Sequence, residues 1–229
     1  MEYSLFYNRI KDRKAKEFIN KIPNCIKKRC KLIKFEEGKL IALKGNSIES
    51  VYISCEGNMQ VKNEFENGFV YSFASVKPIA YIGVMEIMAN QLTYSSTLQA
   101  TTECIAIEIP KNDFIDWIQN DQKLTLEILH FVSKTMYDQS LRTGEVLAYP
   151  AICTLINYLI NVFESEDKKV VFLKKTREEI GSILGFSTRT INRNLKVLKE
   201  ENLISVNRKG IIITKDQFHK LSQKLDSIK

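Results

Sequence analysis

Residues 176–200 carry the pattern that most restricts how this chain can fold. Thr176 stands three residues before Glu179, the spacing of a capping box in which the Thr hydroxyl takes the third helical N–H and the Glu reaches back. A helix over 177–184 follows. Gly185 suits a residue leaving a helix through the left-handed region, and Ser187 is a strong N-cap for a second helix from Thr188 to near Glu200. Two helices joined through Gly185-Phe186-Ser187 make a helix-turn-helix outline. At the helical period, Ile191, Leu195 and Leu198 fall on one side of the second helix. Arg189, Asn192, Arg193 and Lys196 fall on the other.

That second face has no acid before Glu200 and suits double-stranded DNA. Arg bonds guanine bidentately, Asn does the same to adenine, and Lys neutralises phosphate. Beyond it, 203–206 and 211–214 read as two strands joined by Asn207-Arg208-Lys209-Gly210, a wing hairpin with a basic tip. The DNA-contacting candidates are Thr176, Ser187, Thr188, Arg189, Asn192, Arg193, Lys196, Arg208 and Lys209. Charge distribution agrees. Residues 168–229 hold 15 Lys and Arg against 6 Asp and Glu, residues 1–34 hold 11 against 3, and residues 35–167 hold 8 against 18. The basic C-terminal third is the part suited to a polyanion.

Upstream, 4–30 reads as short helices interrupted by Pro23. Short β-rich runs follow at 32–35, 40–43, 51–54, 59–61, 69–73, 96–100 and 104–109, several separated by glycine, which argues for a barrel or sandwich. After Pro110 the pattern turns helical, with a short helix over 112–119 and a long one over 122–147. The long helix is apolar over more than one narrow stripe. One side can pack on the β region while another meets a second copy, or the helix is simply buried in a monomer. Residues 148–150 read as a hinge, with Pro150 placed to open a helix over 151–163. A short strand over 170–173 precedes Thr176.

The remaining residues exclude several classes. With 44% hydrophobic and 27% charged residues, the 229-residue chain is of ordinary globular composition, one large domain or two small ones. The longest nearly apolar stretch, 78–89, contains Glu86 and is too short to cross a bilayer. The N-terminus lacks the pattern of a secretion signal, so a cytoplasmic location is expected. Cys25, Cys30, Cys55, Cys104 and Cys153 are odd in number and scattered, which fits reduced thiols. Cys25 and Cys30 are spaced too widely for a C-x2-C cluster motif, and the two histidines, His130 and His219, make zinc or haem improbable. No cofactor and no metal are expected. No Gly-rich phosphate loop, HExxH or GxSxG is present, so an enzyme is not expected.

From Glu179-Ile180-Gly181 through Gly185-Phe186-Ser187, Thr190-Ile191-Asn192-Arg193 and Asn202-Leu203-Ile204, the chain resembles the helix-turn-helix signature of the Crp/Fnr family. The turns Glu37-Gly38, Lys44-Gly45-Asn46, Glu56-Gly57 and Tyr81-Ile82-Gly83 resemble that family's cyclic-nucleotide-binding β-roll. The resemblance implies an α+β fold: a β-roll sensor domain over 1–121, a dimerisation helix over 122–148 and a winged helix-turn-helix over 149–229. It also implies a homodimer on a palindromic site, with recognition helices in successive major grooves, and control of transcription through RNA polymerase.

The departures from the family are specific. Its cyclic-nucleotide-binding members place a Glu after the Gly matching Gly83 to hold the ribose, and an Arg before the Ser matching Ser95 to pair with the phosphate. Here those positions are Val84 and Tyr94. The effector pocket of Gly83, Val84, Tyr94 and Ser95 is therefore degenerate, and cyclic AMP is not the expected effector, because a desolvated phosphate needs its bidentate cation. Glu86, two residues on, is expected to face solvent. At the start of the recognition helix the family's Arg-Glu pair is Thr188-Arg189, so Arg189 should prefer guanine where the family's Glu reads cytosine. The competing reading is a ligand-binding or protein-interaction module whose winged domain docks protein rather than DNA.

Overall fold

The computed structural model describes residues 7–66, 70–166, 168–207 and 210–228. The chain divides into two compact units, the division in the long helix falling between Thr135 and Met136.

The first unit opens on two helices, α1 (Arg13–Lys21) and α2 (Asn24–Lys27), which meet around Pro23. The Asp12 side chain caps α1 by accepting from the Ala15 N–H, and Ala15, Phe18 and Ile19 form its buried face. Among the described residues eight strands follow: β1 (Lys31–Phe35), β2 (Leu40–Ala42), β3 (Ser50–Glu56), β4 (Met59–Glu64), β5 (Val70–Val76), β6 (Ala80–Ile82), β7 (Thr97–Ala100) and β8 (Cys104–Pro110). They form two four-stranded sheets, ordered β1-β8-β3-β6 and β2-β7-β4-β5. Val51, Ile53, Ile107 and Ile109 from the first sheet share one core with Met59, Leu98 and Ala100 from the second. That single core is enclosed between the two antiparallel sheets, and β8 crosses it with five of its seven residues buried.

The strand runs expected from sequence appear, with one addition. The apolar stretch 78–89 divides at Gly83 into β6 and a short helix, α3 (Val84–Met88). Three residues of strand and five of helix are too few to set up a period, so the stretch carried no local signal. Residues 4–6 and Phe69 lie outside the described residues.

Helix α4 (Lys111–Asn120) leads into α5 (Gln122–Ala148). The Asp121 carboxylate caps α5, accepting from the Lys123 and Leu124 N–H groups. Leu124 and Ile128 enter the β-roll core, with Phe131 and Val132 packed against it. Leu126, Leu129, Met136, Tyr137, Leu141 and Leu147 remain exposed along the same helix. Among the described residues no helix is long and apolar enough to cross a membrane.

The second unit holds α6 (Ala151–Glu164), β9 (Val170–Leu173), α7 (Arg177–Leu184), α8 (Thr188–Glu200), β10 (Ser205–Asn207), β11 (Gly210–Thr214) and α9 (Lys215–Ile228). The three strands form one antiparallel sheet, β10-β11-β9. Leu155, Ile156 and Leu159 of α6 share a core with Ile180, Ile191, Leu195, Leu198, Ile211 and Ile213. The strand expected over 203–206 is corrected: only Ser205 and Val206 of it are strand. Leu203 and Ile204 are buried instead in the exit from α8. Asn202 takes a φ of 57° there, its N–H bonds the Lys199 carbonyl at 3.0 Å, and the Leu203 N–H bonds the Leu198 carbonyl at 2.9 Å. This is a Schellman cap, and it takes the Leu203 N–H that a strand ladder would need.

Candidate nucleic-acid interface and effector seat

The capping box of α7 forms as the sequence implies. Thr176 Oγ1 accepts from the Glu179 N–H at 3.1 Å, and Glu179 Oε2 accepts from the Thr176 N–H at 2.6 Å. The carboxyl of Glu179 is held below its ordinary range by the Thr176 backbone bond first and the Thr176 side chain second. At the turn, Gly185 has a φ of 77°, a conformation costly for a side chain with a Cβ. Ser187 Oγ then accepts from the Thr190 N–H at 3.2 Å and opens α8.

Helix α8 separates its residues by face. Ile191, Leu195 and Leu198 are buried against α6, and Thr188, Arg189, Asn192, Arg193 and Lys196 are exposed. Lys196 lies 3.8 Å from Glu200, an exposed pair one turn apart that leaves the amine free to exchange partners. The strip therefore presents two guanidinium groups, an amide and an ammonium, backed by a packed core. Thr176 and Ser187 are also exposed, but their hydroxyls serve as helix caps. Arg208 and Lys209 lie outside the described residues; the hairpin that carries them pairs Val206 with Ile211 and Asn207 with Gly210.

One residue was missed. Asn194 is 6% exposed, and its Nδ2 has no hydrogen-bond partner among the described residues. Positions 191, 194, 195 and 198 follow the spacing of one helical face, so the pattern itself pointed to burial.

In the first unit, Gly83 heads α3. Val84 is fully buried, so the position that resemblance would give to a ribose-binding acid is a core contact. The Tyr94 ring lies against Gly83, and its hydroxyl donates to the Ser50 carbonyl at 2.9 Å. Burial pushes the Tyr94 phenol up, with Tyr52, Glu86, Glu108 and Glu49 adding in the same direction. The expectation for Glu86 is corrected. Its Oε1 accepts from the Ser95 N–H at 3.2 Å and from the Ser95 Oγ–H at 2.7 Å. The chain reverses at Asn90, φ 56°, and returns past α3, which brings residue 95 beside residue 86. Residues Gly83, Val84, Tyr94 and Ser95 are thus gathered in one place, with Glu86 added to them.

Two family models match this chain: a cyclic nucleotide-binding domain at residues 32–121 and a Crp-like helix-turn-helix domain at 155–217. The cAMP-activated global transcriptional regulator CRP of Salmonella typhimurium is 24% identical over 188 residues, 80% of this chain and 90% of that protein. Two solved structures share the fold. The c-di-GMP responsive global regulator CLP of Xanthomonas campestris has a TM-score of 0.72 at 15% identity, covering 89% of this chain and 99% of that one. A Crp/Fnr-family regulator of Eubacterium rectale has a TM-score of 0.71 at 14% identity, covering 97% and 100%. With a match to the cyclic nucleotide-binding domain in one unit and to the Crp-like helix-turn-helix domain in the other, this chain belongs to the Crp/Fnr family of transcription regulators.

Proposed function

We propose that the protein works as a homodimeric, sequence-specific DNA-binding regulator that does not use cyclic AMP in the usual mode. The observation that carries this reading is the exposed strip of Arg189, Asn192, Arg193 and Lys196 on a capped helix whose opposite face is buried. In this reading Arg189, Asn192 and Arg193 read base edges, and Lys196, Thr188, Thr176, Ser187 and the wing residues Arg208 and Lys209 take the phosphate backbone. The working division is a sensor over 1–121, a dimerisation helix over 122–148 and a DNA-binding domain over 149–229. The partners are double-stranded DNA, a second copy and RNA polymerase, in the cytoplasm.

Dimerisation is supported by α5. Positions 126, 129, 133, 136, 140, 143 and 147 recur at alternating steps of three and four, the seam of a coiled coil, and all are exposed. Leu126, Leu129, Met136 and Leu147 supply the apolar contacts, and Ser133, Ser140 and Thr143 the polar ones that set register. Sedimentation should give a dimer for the native chain, and Leu129→Lys with Met136→Lys should give a monomer. The exclusion of cyclic AMP is supported by the buried Val84 and by Tyr94, whose hydroxyl is already bonded to Ser50. Calorimetric titration with cyclic AMP should give no heat.

Selection of bound sequences from a random DNA pool tests the whole reading. The expected product is a palindrome with half-sites about one helical turn apart. Its affinity should fall steeply with salt. A pool that fails to enrich, or binding indifferent to salt, overturns it.

A further inference from the structure

We propose that Glu86 is a built-in anion at the effector seat: it determines effector class by filling the seat with the chain's own carboxylate and refusing external anions. The inference rests on reading Gly83–Ser95 as that seat, and it adds what the seat excludes and why.

Two donors on Ser95, the N–H and the Oγ–H, converge on the single oxygen Oε1 of Glu86 at 3.2 and 2.7 Å. Convergent backbone and hydroxyl donors are the arrangement that holds an oxyanion. The carboxylate comes from α3, nine residues earlier in the chain, so it bridges α3 to the returning segment much as a ligand would. The neighbouring Tyr94 offers no cation, and its hydroxyl is committed to Ser50. Burial raises that hydroxyl first, and the carboxylates Glu86, Glu108 and Glu49 act in the same direction. An external anion would meet the Glu86 carboxylate itself and two donors already taken. A path from the seat to α5 also exists. Tyr81, two residues before Gly83, donates its hydroxyl to Glu127 Oε1 at 2.7 Å, and Glu127 lies on α5. With the seat filled from within, α3 stays pinned and the β-roll rests in its occupied arrangement without an added effector.

The test uses the full-length protein, with sodium acetate as the probe against sodium chloride at equal ionic strength. In chloride, Glu86→Ala should melt about 3 °C below the native chain. It should also bind the selected DNA about tenfold more weakly, and roughly 100 mM acetate should restore at least half of both losses. Ser95→Ala should show the same losses with no repair by acetate, and the native chain should be indifferent to the change of anion. Glu86→Ala that melts and binds like the native chain overturns the proposal, as does a loss that acetate leaves untouched. If Glu86→Ala does not fold, Glu86→Gln takes its place: it keeps an acceptor oxygen and loses the charge. Its DNA affinity should fall about threefold, and an unchanged affinity overturns the proposal. Melting behaviour is read without DNA, so acetate repair in a chain that binds no DNA would uphold the filled seat and sink the regulatory reading.

Discussion

The Phe186 N–H donates to the Gly181 carbonyl at 2.9 Å, and a β-carbon at position 181 would stand 2.5 Å from the Phe186 carbonyl oxygen. The turn between α7 and α8 closes directly over a glycine. Gly181→Ala must displace either the helix or the turn. It should destabilise the fold by about 1–3 kcal/mol, measured by urea unfolding, and lower DNA affinity in parallel. An unchanged urea midpoint would mean that the turn relaxes freely.

Arg189 and Arg193 stand exposed on the outer face of α8. Arg193→Ala should cost about 1–3 kcal/mol of specific binding and abolish site preference while salt-dependent non-specific binding persists. Arg189→Glu should change the base selected at its position from guanine to cytosine, because a carboxylate accepts from the cytosine amine. Random-pool selection with each variant reads both outcomes, and an unaltered site logo for Arg193→Ala would remove that assignment.

Acid sensitivity follows from the helix caps. Glu179 lies below its ordinary 4.5 through its bonds to Thr176, and Asp121 lies below 3.8 through the Leu124 N–H, the Trp117 indole and the Lys123 N–H. A carboxyl whose folded-state value is depressed contributes stability in full above its unfolded value and loses it as pH falls through the folded one. Urea midpoints should therefore decline from about pH 5 to pH 3. Glu179→Gln and Asp121→Asn should each flatten part of that slope. A profile identical to the native one in both variants would contradict the assignment.

The thiols divide sharply. Cys25 is exposed and the other four are buried. Burial pushes the Cys30 and Cys55 thiols up to about 12 and raises that of Cys104. The thiolate is the reactive form, so a disulfide reagent at neutral pH should label one thiol quickly in the folded chain and all five in urea. Cys25→Ser should abolish the fast phase; a fast phase that survives the substitution would place the reactive thiol elsewhere.

Local chemistry determined much of this protein from sequence alone. The Thr176–Glu179 box, the left-handed Gly185, the Ser187 cap and the two faces of α8 are set by residues within one or two helical turns of each other, and the structure holds each of them. The β-rich runs are legible for the same reason, since β-branched and aromatic residues between glycine turns are a local signal. Tertiary structure decided the rest. Leu203 and Ile204 look like strand, yet the cap at Asn202 takes the Leu203 N–H into the end of α8, and both side chains are buried there. The split of 78–89 into β6 and α3 depends on pairing with β3, distant in the chain. Glu86, two residues beyond Val84, reads as a solvent-facing acid in the sequence; only the reversal at Asn90 brings Ser95 alongside. Bonds that close within a few residues can be read from the order of the side chains, whereas bonds between segments exist only once the chain has folded back on itself.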